Sequence, residues 1–362
     1  MEMVLGESYM DLLRVGIIGC GGIARTHAKG YLSLPSVKLV AAADINPETL
    51  KKFKEEFNVA STYGNYRRML EKEDLDIVSI CTWAQYHAAA TISAAKSGVK
   101  AILCEKPMAT NLGEADRMIR ACKEKGVKLA IAHQHRFDPA NTLARKLIAE
   151  GAIGTPLLIH ERTEGGLLNN GSHVIDTTRY WLSDTDAEWV MGQVERKTDR
   201  YERGIKIEDL CAGLVCFKGG TRLIVEVDTP KIEKPKGTFF ETYIFGSEGT
   251  IGLTEDEVFL KDKSGSGWRK IDLPDETNQF AELLDWIEGK RSHRCEGEKI
   301  RGTMEIMMAI YESVRSKGLV KLPLKIKKSP LELMIESGYL PIEKAGKYDI
   351  RLPKELWKSI LK

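Results

Sequence analysis

Two short stretches of the sequence carry side chains suited to moving protons. The first is Glu105-Lys106-Pro107, which closes the apolar run Ala101-Ile102-Leu103-Cys104. A lysine at the end of a buried strand loses proton affinity through desolvation, which suits it to acid and base work. Pro107 marks a set turn directly after it, where a plain surface ion pair would let the strand run on. The second stretch runs from Gly171-Ser172-His173 to Asp176, Tyr180 and Trp181 and reads as a helix. At about 100° per residue from His173, Asp176 falls near roughly 300° and Tyr180 near roughly 340°, while Val174, Ile175, Thr178, Trp181 and Leu182 spread over about 80–200°. His, Asp and Tyr therefore share one face. That face either handles protons or is the solvated side of a helix packed by its apolar side. Asn169 falls on the same face one turn earlier, and either holds a substrate hydroxyl or belongs with Asn170-Gly171 to a turn and helix cap.

A third pattern binds rather than reacts. Gly19-Cys20-Gly21-Gly22-Ile23-Ala24 follows an apolar run and opens a helical pattern, so bare backbone can approach a pyrophosphate at a helix N-terminus. Asp44 stands 20 residues beyond Ala24, after the second strand, where a carboxylate can accept hydrogen bonds from a ribose. Such a carboxylate repels a 2′-phosphate, and Ile45 supplies no cation to hold one, so the pattern favours NAD over NADP.

These groups need a frame. Up to residue 137, strand-like runs (13–18, 38–43, 76–81, 100–104, 128–132) alternate with helical ones (24–32, 47–57, 87–97, 111–125), the rhythm of a doubly wound parallel sheet. One more helix over 141–150 ends at Gly151. Consecutive strands then follow at 157–163, 189–196, 210–217, 221–228, 238–245, 250–253, 257–260 and 268–271, as in a mainly antiparallel sheet. A helical stretch over 278–317 and a basic, proline-punctuated segment from Leu322 complete the chain. The expected fold class is α/β plus α+β: a dinucleotide-binding domain over 1–137, a substrate-binding and oligomerisation domain over 138–330 on an open sheet, and a tail over 331–362. The open sheet face, with alternating apolar residues such as Leu214, Cys216, Leu223 and Val225, calls for cover by a second copy, in a homodimer or homotetramer.

Composition excludes several classes. The 362 residues carry 54 Lys plus Arg against 52 Asp plus Glu, a net charge of +2 that gives no basic surplus for coating nucleic acid. No apolar run reaches the roughly 18 residues that span a bilayer, and the first residues lack a secretory signal, so the expected location is the cytoplasm. Seven scattered cysteines without a Cys-x-x-Cys pair predict neither a disulfide framework nor a metal site.

Taken in order, Gly-x-Gly-x-x-Ala, Thr82 followed by His87, Glu105-Lys106-Pro107 and Gly171-Ser172-His173-Val174-Ile175-Asp176 resemble the motifs of the glucose-fructose oxidoreductase, inositol dehydrogenase and rhizopine catabolism protein family (Gfo/Idh/MocA). The resemblance spans nearly the whole chain. It implies an N-terminal Rossmann domain, a bound nicotinamide nucleotide and a sugar or cyclitol substrate. By the same resemblance Lys106 touches substrate and cofactor, His173 passes a proton, and Asp176 lies beside it and binds the substrate. Thr82, Trp83, His87, Glu105 and the His133-Gln134-His135-Arg136 stretch would line the nucleotide or the adjoining pocket, with His135 and Arg136 either holding polar substrate groups or serving as a cap and a surface cation. The chain departs from the family at three places: Asn169 where Asp is frequent, Trp83-Ala84 where Pro-Asn is usual, and a short connection over 159–165. The function this implies is NAD-dependent oxidation of a secondary hydroxyl to a ketone. Two alternatives remain open: a glycosidase-like enzyme that retains its NAD and oxidises transiently, and a non-catalytic nucleotide sensor on the same fold.

Overall fold

A computed structural model of the chain describes residues 12–230 and 242–345, except 255, 264, 266 and 276. Its first half runs β1 (Leu13–Ile18), α1 (Gly22–Leu32), β2 (Val37–Ala43), α2 (Pro47–Phe57), β3 (Ser61–Tyr63), α3 (Tyr66–Lys72), β4 (Ile77–Ile80), α4 (Ala84–Lys96), β5 (Ala101–Glu105), α5 (Leu112–Lys125) and β6 (Lys128–Ala132). The six strands form a parallel sheet in the order β3-β2-β1-β4-β5-β6. The order reverses between β1 and β4, and ligands of doubly wound sheets bind over the strand ends at that point. Local chemistry sets the boundaries. Asn46 caps α2 by accepting from the Glu48 and Thr49 amides ahead of Pro47, Asn111 caps α5 at the Glu114 amide, and Gly126 closes α5 in the left-handed region. The short β3 and the two-turn α3 have no counterpart among the sequence-based expectations, since three residues cannot display an alternation.

A 3₁₀ turn over Gln134–Phe137 leads into α6 (Pro139–Ala149) and β7 (Pro156–Thr163), and a π-helical turn over Leu167–Gly171 leads into α7 (Ser172–Trp181). Then come β8 (Ala187–Glu195), β9 (Thr198–Asp199), β10 (Tyr201–Glu202), β11 (Ile205–Lys206), β12 (Leu210–Phe217), β13 (Arg222–Val227), β14 (Thr242–Gly246), β15 (Gly249–Leu253), β16 (Val258–Asp262) and β17 (Arg269–Ile271). The strand expected over 238–245 lies partly outside the described residues. Last come α8 (Gln279–Ile287), α9 (Gly297–Ser316), β18 (Val320–Lys321), α10 (Pro330–Glu336) and β19 (Lys344–Ala345). The large sheet has the order β17-β16-β15-β14-β7-β13-β12-β8-β18, parallel at β7 and β13 and antiparallel elsewhere.

The C-terminal segment differs from expectation in two ways. The helical stretch over 278–317 is two helices, because Gly289 takes a positive φ and the chain folds back so that Arg294 meets Glu282 at 2.9 Å. The segment from 331 opens with α10, whose Leu331 and Met334 are buried in the main core. α8 crosses to the parallel sheet, where Lys128 Nζ donates to Trp286 O.

The pleat also corrects the list of open-face residues. Val215 lies opposite Leu223 and Gly213 opposite Val225, and cross-strand partners share a face. Leu223 and Val225 are fully buried on the side covered by α9, which packs so closely that a Cβ at Gly213 would meet Ile310 at 2.8 Å. The opposite face carries Met191, Leu214 and Ile224 in one row, continued by His160 and Tyr243. Met191 and Ile224 are 47 % and 37 % exposed. Cys216 alternates onto this side as well, but it is already buried and leaves no open surface there.

Candidate active site

The nucleotide groove forms where β1 turns into α1. Gly19 has φ +87°, and a Cβ there would lie 2.8 Å from the Cys81 carbonyl, so only glycine lets the turn press on the end of β4. Nothing lies within 4 Å of a Cβ built on Gly21 or Gly22, which leaves bare backbone facing the groove at the N-terminus of α1. Asp44 lines the groove and is not the cap of α2. Its Oδ2 accepts from the Cys20 amide at 2.7 Å and its Oδ1 from the Asn46 amide at 2.7 Å, which ties the glycine turn to the end of β2. Ile23 faces the adjoining cavity, whereas Ala24 is fully buried and packs the helix onto the sheet. Thr82 and Trp83 line both spaces, and Thr82 Oγ1 is buried without a hydrogen-bond partner among the described residues. The bare amides, the carboxylate and the orphaned hydroxyl fit a dinucleotide. Arg67, stacked 5.0 Å from the Tyr66 ring centre, also lines the groove and was not anticipated from the sequence.

A second cavity of about 380 Å³ adjoins the first and is lined by Gly21, Gly22, Glu105, Lys106, Gln134, Asn169, His173, Glu202 and Arg203, among others. Its size suits a sugar-sized molecule beside a nicotinamide. The Lys106-Pro107 peptide is cis. Burial brings Lys106 down to about 8 against the opposing charge of Glu105, with Arg203 pushing the same way. Lys106 Nζ donates to Asn169 Oδ1 at 2.9 Å across the cleft. Asn169 sits in the π-helical turn, so the regular helical count does not extend back to it. Burial, followed by the charges of Lys106, His133 and His135, holds His173 far below the usual imidazole range, and its Nδ1 is buried without a partner among the described residues.

Three expected substrate or nucleotide ligands lie behind these walls. Arg136 and Asp176 are 0 % and 1 % exposed, and they form a two-point pair through Nε to Oδ2 at 2.7 Å and Nη2 to Oδ1 at 2.8 Å. Asp176 also accepts from Thr303 Oγ1 at 2.8 Å and lies 3.5 Å from His133 Nδ1, while Arg136 reaches Asp184 at 2.7 Å. Burial opposes the charge on Asp176, but Arg136 and His133 outweigh it and hold the carboxyl well below its usual range. This pair ties the 3₁₀ turn after β6 to α7, so both residues act on the wall from behind. The polar side of α7 is therefore neither solvated nor wholly in the cavity. His87 is likewise buried, with its ring nitrogens 2.9 Å from Pro107 O and Thr82 O, so it joins two loops and does not touch the groove.

Glu105 turns its carboxylate inward, to His27 and its neighbour's amide. His135 packs edge-on against His173 at 4.6 Å and holds Asp138 at 2.7 Å, with nearly half its side chain exposed. Of the His133–Arg136 stretch, Gln134 lines the cavity. The sequence also did not announce the β10–β11 hairpin, which places Glu202 and Arg203 over the cavity. Arg203 and Gly204 take positive φ at its tip, and Gln85 Nε2 donates to Arg203 O at 3.0 Å, which fastens the tip to α4 beside Trp83.

Residues 13–133 match the profile of an oxidoreductase family with an NAD-binding Rossmann fold. A levoglucosan dehydrogenase from Pseudarthrobacter phenanthrenivorans is 30 % identical over 292 residues, covering 67 % of this chain and 73 % of that protein. A D-apiose dehydrogenase from Paraburkholderia graminis is 29 % identical over 253 residues, 66 % of this chain and 67 % of its own length. The fold is shared with an aldose-aldose oxidoreductase from Caulobacter crescentus, at a TM-score of 0.74 and 22 % identity over 86 % of this chain and all of that one.

Proposed function

Because the chain belongs to the Gfo/Idh/MocA family of oxidoreductases, we propose that it is an NAD-dependent dehydrogenase that oxidises a secondary hydroxyl of a sugar, sugar derivative or cyclitol to a ketone, with Lys106 and His173 handling the proton. One observation carries the reading: a single cavity is walled by the glycine turn on one side and by Lys106, Asn169 and His173 on the other. The names of the relatives, levoglucosan dehydrogenase and D-apiose dehydrogenase, favour a polyol substrate.

Gly19, Gly21, Gly22, Asp44, Thr82 and Trp83 would hold NAD, which when bound supplies the hydride acceptor. Lys106, at about 8, is partly neutral near pH 7 and can take the hydroxyl proton as the carbon–hydrogen bond breaks. His173 lines the same cavity and stays neutral, so its imidazole can orient the hydroxyl and pass a proton onward without keeping it. Asn169 holds Lys106 through its carbonyl, and its amide reaches Glu202 Oε1 at 3.5 Å, a long contact that a substrate oxygen in the cavity would replace. The Arg136–Asp176 pair keeps α7, and with it His173, in place. We further read 1–137 as the nucleotide-binding unit and 138–330 as the unit for substrate and self-association, through the face bearing Met191, Leu214 and Ile224. Among the described residues no helix is long and apolar enough to cross a membrane.

The test is a thermal-shift screen of myo-inositol, levoglucosan, D-apiose and related polyols with NAD present, followed by absorbance at the NADH band for each hit. Steady NADH accumulation with at least one polyol is expected. Product release without net NADH would replace the reading by the NAD-retaining enzyme, and nucleotide binding without any turnover would replace it by the sensor.

A further inference from the structure

Behind Lys106 runs a chain of hydrogen bonds that meets the cavity only at its last member, Glu105. His27, in the middle of α1, is fully buried. Its Nδ1 lies 2.6 Å from Ser79 Oγ in β4 and its Nε2 lies 2.9 Å from Glu105 Oε1 at the end of β5. Tyr31, one turn further along α1, places its hydroxyl 3.4 Å from the same Ser79 Oγ. The other oxygen of Glu105 accepts the Lys106 amide at 3.2 Å. Phe280 of α8 seals the chain, meeting the rings of His27 and Tyr31 edge-on at 5.4 and 4.8 Å.

Donor accounting gives the chain a direction. An ionised Glu105 only accepts, so Nε2 of His27 must carry a proton; with one proton on the ring, Nδ1 then accepts from Ser79, and Ser79 in turn accepts from Tyr31. Every donor points toward the Glu105 carboxylate. In the reverse arrangement a neutral Glu105 donates to Nε2 and Nδ1–H donates to Ser79, which removes the negative charge beside Lys106.

We propose that His27 is a positioning residue which, by holding Glu105 as a fixed anion behind the Lys106 turn, sets the pH at which Lys106 gains and loses its proton. His27 makes and breaks no bond; the proton moves at Lys106 Nζ. The inference rests on the acid–base role given to Lys106 above, but it concerns a property that can be read without turnover. The groups facing the pair are few. Glu105 is faced by His27 from α1, by His87 from α4 and by His133 after β6, with the buried Cys81 and Cys104 thiols beside it. Lys106 is faced by Glu202 and Arg203 of the hairpin, by His173 of α7 and by His133 after β6. Burial drives both thiols up, so they stay uncharged, and burial drives His87 and His133 down. His27 supplies the donor that lets Glu105 stay ionised in this setting, with Glu105 held below its usual range despite its burial.

Competitive acetylation of the full-length protein across pH, read on the Lys106 peptide by mass spectrometry, gives the Lys106 midpoint directly. His27→Leu removes the donor, so Glu105 takes up a proton and Lys106 loses its anion. The midpoint should fall by about one pH unit or more. His27→Gln, which keeps an N–H near the position of Nε2, should restore most of it, and Ser79→Ala should give a smaller fall. Nitrogen-15 NMR of the unmodified protein should show His27 as the Nε2–H tautomer. An unchanged midpoint in folded His27→Leu overturns the proposal, and so does an Nδ1–H tautomer; if His27→Leu does not fold, Ser79→Ala and the tautomer decide. A midpoint that shifts while no polyol turnover depends on Lys106 would leave the positioning intact and remove the dehydrogenase reading instead.

Discussion

Asn169 Oδ1 accepts a hydrogen bond from Lys106 Nζ at 2.9 Å, joining the π-helical turn before α7 to the end of β5 across the cleft. A helical count from His173 had set Asn169 over the histidine; the structure sets it over the lysine. A charge introduced at 169 therefore acts first on Lys106. Asn169→Asp should raise the Lys106 midpoint, since an anion beside an ammonium favours the charged form. In the oxidation direction the rise of turnover with pH should move up by about one unit, with some activity retained. Asn169→Ala should mainly raise KM. If Asn169→Ala lowers thermal stability and leaves KM and the pH profile alone, the residue is a turn and cap.

Lys106→Ala should leave NAD affinity nearly unchanged, because the groove is built by the glycine turn and Asp44. Turnover should drop about a hundredfold or more, the usual loss of a general acid or base. Near-normal turnover would take Lys106 out of the chemistry.

Asp176→Asn should act on stability before chemistry. Removing one partner from a buried ion pair costs up to about 3–5 kcal/mol, and here less than the full amount, because Arg136 loses its two-point partner but keeps Asp184 at 2.7 Å. The carboxyl is depressed in the fold, so its contribution is complete above the unfolded carboxylate range and is lost as pH falls below about 4. The measurement is thermal unfolding across pH: wild type should lose its advantage over Asp176→Asn as acid is added. Equal melting temperatures at pH 7, with turnover abolished, would return Asp176 to the reaction itself.

Asp44 should decide between the two nicotinamide nucleotides. Direct titration should give a lower dissociation constant for NAD(H) than for NADP(H), and Asp44→Ser should narrow the difference, with Arg67 at hand to meet a 2′-phosphate. Tighter binding of NADP(H) by the unaltered protein would mean that Arg67 outweighs Asp44.

The open face of the large sheet should bury itself against a second copy. Ile224→Lys should shift sedimentation toward the monomer, while Leu223, fully buried under α9, should instead disturb folding when changed. A monomer at micromolar concentration in the unaltered protein would count against self-association through this face.

Short-range patterns determined much of this protein. Helix and strand periods, glycine turns and the Asn46 and Asn111 caps are local, so the parallel sheet, the position of the glycine turn and the placing of Lys106 at a strand end were legible from the residues alone. The register of the antiparallel sheet was less so. Leu223 and Leu214 are both apolar, and only strand pairing, which opposes Val215 to Leu223, tells which one faces α9. The site divided along the same line. His27 and Glu105 are 78 residues apart, Arg136 and Asp176 are 40 apart, and Arg203 reaches the cavity on a hairpin with no period to announce it. Whether a polar residue reacts, binds or braces depends on which partner it finds across the fold. That partner is fixed by chain crossing and burial, which the tertiary structure alone decides, so it made Asp176 a brace for Arg136 and Asn169 a neighbour of Lys106.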